Sequence, residues 1–195
     1  MYRERNLVVY VQIAPGRLND SLARRLAANG LYQASYCPVL YGVPLPLSDQ
    51  PLLRQPDGVT VAEVANPEEM DDFRSVMRES LDVSEDFPEI LYGSRWLGRP
   101  GWHPYLARVE GIPAAIGMLY SRNGTGHLTL ASTIPAFRRR GCQATLLRHR
   151  IAGAYALGCD LVTSGAAFNS ISQHNLERAG LRMAFTRADW QFLKA

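Results

Sequence analysis

LTLASTIPAFRRRGCQATLLRHR, residues 128–150, is the stretch whose reading decides the fold. Its first half alternates like a strand, the chain turns at Pro135, and a helix opens within RRRGCQA, from Arg138 to Ala144. The first backbone N–H groups of a helix have no partner inside it, and they sit at the positive end of the helix dipole. A turn of successive N–H groups running into such a helix makes a nest for an anion. Gly141 lets a ligand approach the backbone with no Cβ in the way. Arg138, Arg139 and Arg140 add charge suited to a pyrophosphate or a nearby 3′-phosphate. Taken alone, three arginines read equally well as a solvated charge run. Between Pro135 and Gly141 at a helix start, they read as the binding site of a phosphorylated ligand.

Before this stretch, residues 104–110, 112–121 and 126–134 look like three consecutive strands, with Gly111 and Asn123-Gly124 as the turns between them. Further back, GVTVAEVA from Gly58 alternates as a strand. Asn66-Pro67-Glu68-Glu69 then starts a helix, with Asn66 as the cap, Pro67 in the first turn and Glu69 closing a capping box. Met70, Phe73, Met77 and Leu81 mark its buried face, and a second helix is expected from Glu85 towards Trp96. After the opening stretch, the helix extends to about Leu157, with Ala144, Leu147, Ile151 and Ala154 on one face. Residues 159–166 form a short buried strand. A helix capped by Ser170 with Gln173 and stopped by Gly180 follows, and the chain ends in strands around 181–194. From Gly58 the order is β, α, α, β, β, β, α, β, α, β, β.

The first 57 residues read separately. Residues 6–13 form a strand. Leu18, Leu22 and Leu26 recur at helical spacing, and Gly30 stands where a C-terminal cap belongs. Residues 33–42 form a strand whose Pro38 implies an edge position or a bulge. Residues 43–57 carry four prolines and little periodicity, as a linker does. The expected division is a strand-helix-strand appendage with its linker over 1–57 and the main domain over 58–195.

Composition bounds the function. The chain has 195 residues and is 47% hydrophobic, enough for a real core. Charged residues are 20%, which excludes a disordered composition, and no apolar run approaches the ~18 residues of a membrane span. The N-terminal apolar stretch is short, contains Gln12 and lacks a small-residue cleavage site, so it does not read as a signal peptide. Cys37, Cys142 and Cys159 are an odd number without metal-ligand spacing, which points to a reduced, cytoplasmic protein with no metal. The net charge of +3 is spread widely, and Lys194 is the only lysine. A nucleic-acid binder would show a broad basic stripe, so no nucleic-acid partner is expected.

The segment Pro135 to Gly141 and the helix after it resemble the acetyl-CoA signature of the GNAT superfamily of N-acetyltransferases, written Gln/Arg-x-x-Gly-x-Gly/Ala. Arg138 and Gly141 match it. Gln143 stands at the last position, as in a bacterial subgroup with an arginine-rich loop and a downstream Ser-x-x-Asn element. GCDLVTSGAAFNSISQHNLERAGLRMAFTR, from Gly158, resembles that subgroup's closing strand-helix-strand. The resemblance covers about 58–195 and implies an α/β (α+β) fold, a mixed, mostly antiparallel sheet flanked by helices. It also implies acetyl-CoA or CoA as co-substrate and a small-molecule amine as acceptor, with direct attack of the neutral amine on the thioester. By the same resemblance, the backbone of Ala131, Ser132 and Thr133 bonds the pantetheine arm. Arg138, Arg139, Arg140, Gly141, Cys142, Gln143 and Ala144 wrap the pyrophosphate, and Asn169 lies near the cofactor. The family's usual acid is a tyrosine four residues before the Gly-Phe pair. Here the pair is Gly180-Leu181 and the position holds Leu176, so the proton for the thiolate comes from water or another group, or the chain only binds acyl-CoA.

Other residues admit two readings each. Cys142 at a helix N-terminus suits an activated thiol, but a small buried hydrophobe fits its slot better. His127 suits a general base, but its hairpin neighbours Gly124 and Gly126 favour a surface histidine. Glu79, Asp82, Glu85, Asp86 and Glu89 form an acidic stretch that reads as a solvated helix end or as an attractor of cationic amines. Trp96, Trp102 and Tyr105 wall an acceptor pocket or belong to the core.

The ends of the chain also resemble each other. Gly30-Leu31 aligns with Gly180-Leu181, Leu26 with Leu176 and Ala34 with Ala184, at an offset of 150 residues. With a small gap, residues 6–13 face 159–166. The reading is that residues 1–57 are the closing quarter of a second GNAT-like unit whose remainder is missing. Its apolar face needs a partner, in the same chain or in a second subunit, and a homodimer is expected.

Overall fold

The computed structural model describes residues 10–50, 56–81 and 96–192. Eight strands form one sheet: β1 Tyr10–Ile13, β2 Leu31–Gly42, β3 Val59–Glu63, β4 Trp102–Val109, β5 Ile112–Arg122, β6 Thr125–Thr133, β7 Leu161–Gly165 and β8 Arg182–Phe192. Among the described residues four helices accompany them: α1 Asp20–Ala28, α2 Pro67–Leu81, α3 Cys142–Ala156 and α4 Ile171–Arg178. The spatial order is β1-β8-β2-β7-β6-β5-β4-β3. Every pairing is antiparallel except β6 with β7, which run parallel.

Alternation along the strands separates two faces. On β4, Tyr105, Ala107 and Val109 enter the core under α3, while Leu106 enters the core under α2. Helix α2 begins as its sequence implies: Asn66 Oδ1 accepts from the Glu69 N–H at 2.9 Å, and the Glu69 carboxylate accepts from the Ala65 N–H at 2.8 Å. Its buried face is Met70, Phe73, Val76 and Met77. Leu81 is 41% exposed, so it leaves that face at the helix end. The expected helix from Glu85 and most of the acidic stretch lie outside the described residues.

The N-terminal strand-helix-strand is built into the same sheet. Strand β2 lies between β7 and β8, so it is not an edge strand. Pro38 is tolerated there because the β2–β7 ladder ends at Val39–Gly165, and its carbonyl accepts from the Ala166 N–H beyond that ladder. The β2–β8 register slips next to it, between Val39 and Leu40. Along β1-β8-β2-β7, exchanging β1 with β7 and β2 with β8 returns the same order reversed, an approximate two-fold relation about the β2–β8 pair. The two connecting helices match in detail. Asn19 caps α1 through the Leu22 N–H and Ser170 caps α4 through the Gln173 N–H. Gly30 and Gly180 follow the helix ends at φ 77 and 93, and each donates its N–H to the residue three before it, at 2.9 Å. Helix α1 covers its own apolar face: Leu18, Leu22 and Leu26 pack against Ile13, Leu31, Ala188 and Trp190.

Helix α3 crosses the middle of the sheet and packs tightly at Gly153, where an added Cβ would run into the Tyr105 hydroxyl. Burial, and then Glu63, push the Tyr105 phenol up to about 12, so it stays neutral. Alanine in place of glycine within a helix is worth about 1 kcal/mol, while overpacking a core costs about 1–3 kcal/mol. Gly153→Ala is therefore expected to lower stability in urea by about 1 kcal/mol. In a Tyr105→Phe background the clash is relieved and the sign should reverse. A loss of the same size in both backgrounds would show that the hydroxyl is not the obstacle.

Candidate functional site

The parallel pair β6–β7 is joined only from Thr125–Leu161 to Leu128–Ser164. Beyond Leu128 the strands part, and Ser164 Oγ closes the apex by donating to the Leu128 carbonyl at 2.8 Å. From this apex a cleft of about 900 Å³ runs along the freed edge of β6 to the start of α3. Strand β6 is bulged here. Met118 of β5 pairs with Thr129 and Ile116 with Ser132, so β6 holds one extra residue, and Leu130 takes φ 46. The bulge turns Leu130 towards the core under α2, whereas Leu128 faces the core under α3.

At the other end of the cleft, the chain passes a short 3-10 turn, Pro135–Phe137, and enters α3. Arg139 and Gly141 both adopt left-handed backbone, φ 63 and 81. Among the described residues, no backbone acceptor takes the N–H groups of Arg139 to Ala144. The turn thus presents several N–H groups without a described backbone acceptor, with Arg138 Nε held by the Thr133 carbonyl at 3.4 Å and Gln143 Nε2 by Thr133 Oγ1 at 2.8 Å. Pro56 packs directly over Gly141. The linker thus helps to shape the nest, and Gln50 ties it down by donating to the Leu45 and Arg148 carbonyls.

The cleft lining includes Ala131, Ser132, Thr133, Arg138, Arg139, Gly141, Cys142, Gln143 and Ala144. Arg140 and Asn169 stand outside it. Arg140 reaches Glu110 at 3.8 Å, and Asn169, at φ 56, donates its N–H to Gln173 Oε1. Asn175, one turn into α4, lines the cleft instead, one position before Leu176. Leu176 also lines it and is packed in the core. No tyrosine belongs to the lining among the described residues. Tyr120 stacks on Trp102, which packs in turn against Trp96, and Tyr155 is exposed. Cys142 is buried, and burial raises its thiol pKa, as suits a small hydrophobe rather than a nucleophile. The described His, Cys, Asp and Glu side chains form no cluster able to hold a metal.

Among the lining residues that escape a reading by motif are three with ionisable side chains, His127, Arg150 and Arg187. His127 is exposed, as its hairpin neighbours favour, yet it lines the cleft with Nδ1 3.1 Å from Thr163 Oγ1. Burial, and then Arg187, lower its pKa, which keeps the ring neutral. Arg187 reaches the cleft from the distant strand β8, so no local pattern announces it. Arg150 did leave a signal, since it falls on the buried face of α3 beside Leu146, Leu147, Ile151 and Ala154.

Neither a protein-family model nor a curated protein sequence matches the chain. Solved structures do. The chain is similar to a GCN5-related N-acetyltransferase from Kribbella flavida, at 19% identity and TM-score 0.70, over 100% of this chain and 72% of that one. It is similar to another from Sphaerobacter thermophilus, at 17% identity and TM-score 0.74, over 97% of this chain and 62% of that one. A tandem GNAT protein of the clavulanic acid biosynthesis pathway matches at 14% identity and TM-score 0.66, over 97% of this chain and 65% of that one.

Proposed function

We propose that this chain, which has the fold of the GCN5-related N-acetyltransferases, is an acetyl-CoA-dependent N-acetyltransferase acting on a small-molecule amine. The observation that carries the reading is the cleft itself. It joins an anion nest at the start of α3 to the free backbone edge of Ala131, Ser132 and Thr133, and ends at the parting of β6 and β7. In this reading CoA is held with its pyrophosphate at the nest and its pantetheine arm along β6. A backbone N–H near the bulge polarises the thioester carbonyl as an oxyanion site does. The neutral amine attacks that carbon directly. His127 accepts the amine's proton: with Nδ1–H donating to Thr163 Oγ1, the Nε2 lone pair is free. Arg140 and Asn169 stay outside the cleft, Arg140 beside Glu110 and Asn169 at the cap of α4.

The first test is calorimetry with CoA and acetyl-CoA, followed by release of free CoA thiol with a panel of amines. Failure of the protein to bind either ligand would falsify the proposal. One observation favours a second reading, a non-catalytic acyl-CoA-binding protein: Leu176 fills the place of the tyrosine acid. Binding of acetyl-CoA without thiol release by any amine would select it.

The pH dependence follows from His127. Its pKa is lowered, so the base is neutral at pH 7 and protonates only as the pH falls below the ordinary histidine value of about 6.5. kcat/KM for amine acetylation, calculated on the concentration of neutral amine, is therefore expected to be level near neutrality, with an acid limb whose midpoint lies below that value. His127→Gln should lower the plateau and remove the limb. A limb that survives the substitution would assign the base elsewhere.

The same reading places the protein in the cytoplasm, in keeping with three free, buried thiols, and gives it no nucleic-acid or membrane partner. No described helix is long and apolar enough to cross a membrane. A homodimer is its proposed assembly, because β2 and β8 leave Tyr32, Tyr36, Tyr41, Met183 and Phe185 exposed. Sedimentation of a single 21.7 kDa species at all concentrations would refute the dimer.

A further inference from the structure

Arg150 is only 3% exposed, yet it lines the cleft. Its Nε donates to the Leu146 carbonyl at 3.3 Å, and its Nη1 to the carbonyls of Met118 at 3.2 Å and Thr129 at 3.1 Å. Among the described residues Nη2 has no acceptor. No described carboxylate pairs with the guanidinium, so the buried charge is balanced only by neutral carbonyls. Burial lowers its pKa to about 10, which leaves it protonated at neutral pH. An uncompensated buried cation costs several kcal/mol. The fold nevertheless makes room for it: Gly117 lies beneath the guanidinium, and a Cβ there would fall 2.8 Å from its Cζ.

Its position along the cleft is informative. Thr129 is the first residue of β6 beyond the last β6–β7 pair, so the guanidinium sits at the closed end. From Thr133, beside the nest, to Thr129 is four residues of strand, about 13 Å of path for a pantetheine arm. An arm laid along that path puts its sulfur end at the apex. The other ionisable groups near the guanidinium are Tyr105, outside the cleft lining and kept neutral by burial, and His127 and Arg187, which line the cleft. Leu176, on the facing helix, has no proton to give.

We propose that Arg150 is the electrostatic partner of the leaving thiolate, its Nη2, which no described acceptor holds, stabilising the negative charge that the CoA sulfur gains as the thioester breaks. This rests on the acyl-transfer reading above. In the step, the amine nitrogen's lone pair forms the new C–N bond and the carbonyl oxygen carries the charge of the tetrahedral intermediate. Its collapse breaks the C–S bond and leaves the electron pair on sulfur. The nitrogen's proton goes to His127, and the thiolate afterwards takes a proton from water. A fixed cation at the sulfur lowers the energy of that collapse without an acid. Desolvation makes such a charge more effective than it is in water.

The test reads the thiol directly. CoA bound to the protein is titrated by the ultraviolet absorbance of its thiolate, with the desulfo-CoA complex as blank. The midpoint is expected at least one pH unit below that of free CoA. Arg150→Met should move it up by a unit or more, and Arg150→Lys, which keeps the charge, should restore most of the shift. His127→Gln and Arg187→Gln should move it less than Arg150→Met does. Equal midpoints in the parent and Arg150→Met complexes would overturn the assignment and leave Arg150 a pin for the β6 bulge. If Arg150→Met does not fold, the parent and Arg150→Lys complexes decide, and an unshifted midpoint in both overturns it. Absence of CoA binding to the parent protein is a different result, and it refutes the acyl-transfer reading itself.

Discussion

Gly141→Asp is expected to weaken CoA binding by about 3 kcal/mol or more, roughly 100-fold in Kd. Three effects act together. Gly141 sits at φ 81, where an L side chain is strained, by about 1–3 kcal/mol. A Cβ there collides with the Pro56 ring. The new carboxylate also lies at the N-terminus of α3, inside the turn proposed to hold a pyrophosphate, where it would repel the ligand's phosphates. The Pro56 contact means that the variant does not isolate charge, since the linker must shift as well. Gly141→Ala separates the two, because it carries the strain and the collision without the charge. It should lose stability on heating but keep more of the affinity than the aspartate. Calorimetry that finds parental affinity in Gly141→Asp would move the phosphate site away from this turn.

Deletion of residues 1–50 is expected to abolish soluble, folded protein. The reason is topological. Strand β8 is paired by β2 on one side and β1 on the other, and both are lost, so eleven residues of strand are left with no ladder. Leu40, fully buried in the main core, goes with β2, and Trp190 and Ala188 lose the cover of α1. The exposed apolar surface and open edge favour aggregation. Supplying residues 1–50 as a separate chain during expression should restore a soluble complex with the parental circular dichroism. A truncated protein that stays soluble and melts at the parental temperature would show that the segment is dispensable. The two-fold relation of β1–α1–β2 to β7–α4–β8 makes this dependence intelligible. Each strand-helix-strand supplies the strand that the other needs, as two halves of one interface would.

What the sequence by itself determined was local. The turn into α3 was legible because a strand-turn-helix needs only a few consecutive residues: Pro135 after the strand and a glycine before the helix. Helix caps were legible for the same reason, and Asn66, Ser170, Gly30 and Gly180 stand where their chemistry requires. The repeat between the chain's ends showed in matched Gly-Leu pairs, because equal local structures make equal demands on their residues. Tertiary structure alone decided what depends on long-range pairing. Pro38 implied an edge position or a bulge, since a proline normally costs a ladder bond; the strand is internal, but the β2–β8 register slips beside it and the β2–β7 ladder stops one residue away. The apex of the cleft is set by where β6 and β7 stop pairing, and that register involves residues more than thirty positions apart. Arg150 and Arg187 reach the cleft from α3 and from β8, and the exposed His127 meets Thr163 of β7 at its rim. Residue type and spacing encode which groups a segment offers. Which of them meet, and how far from water, is settled by packing between segments distant in the chain.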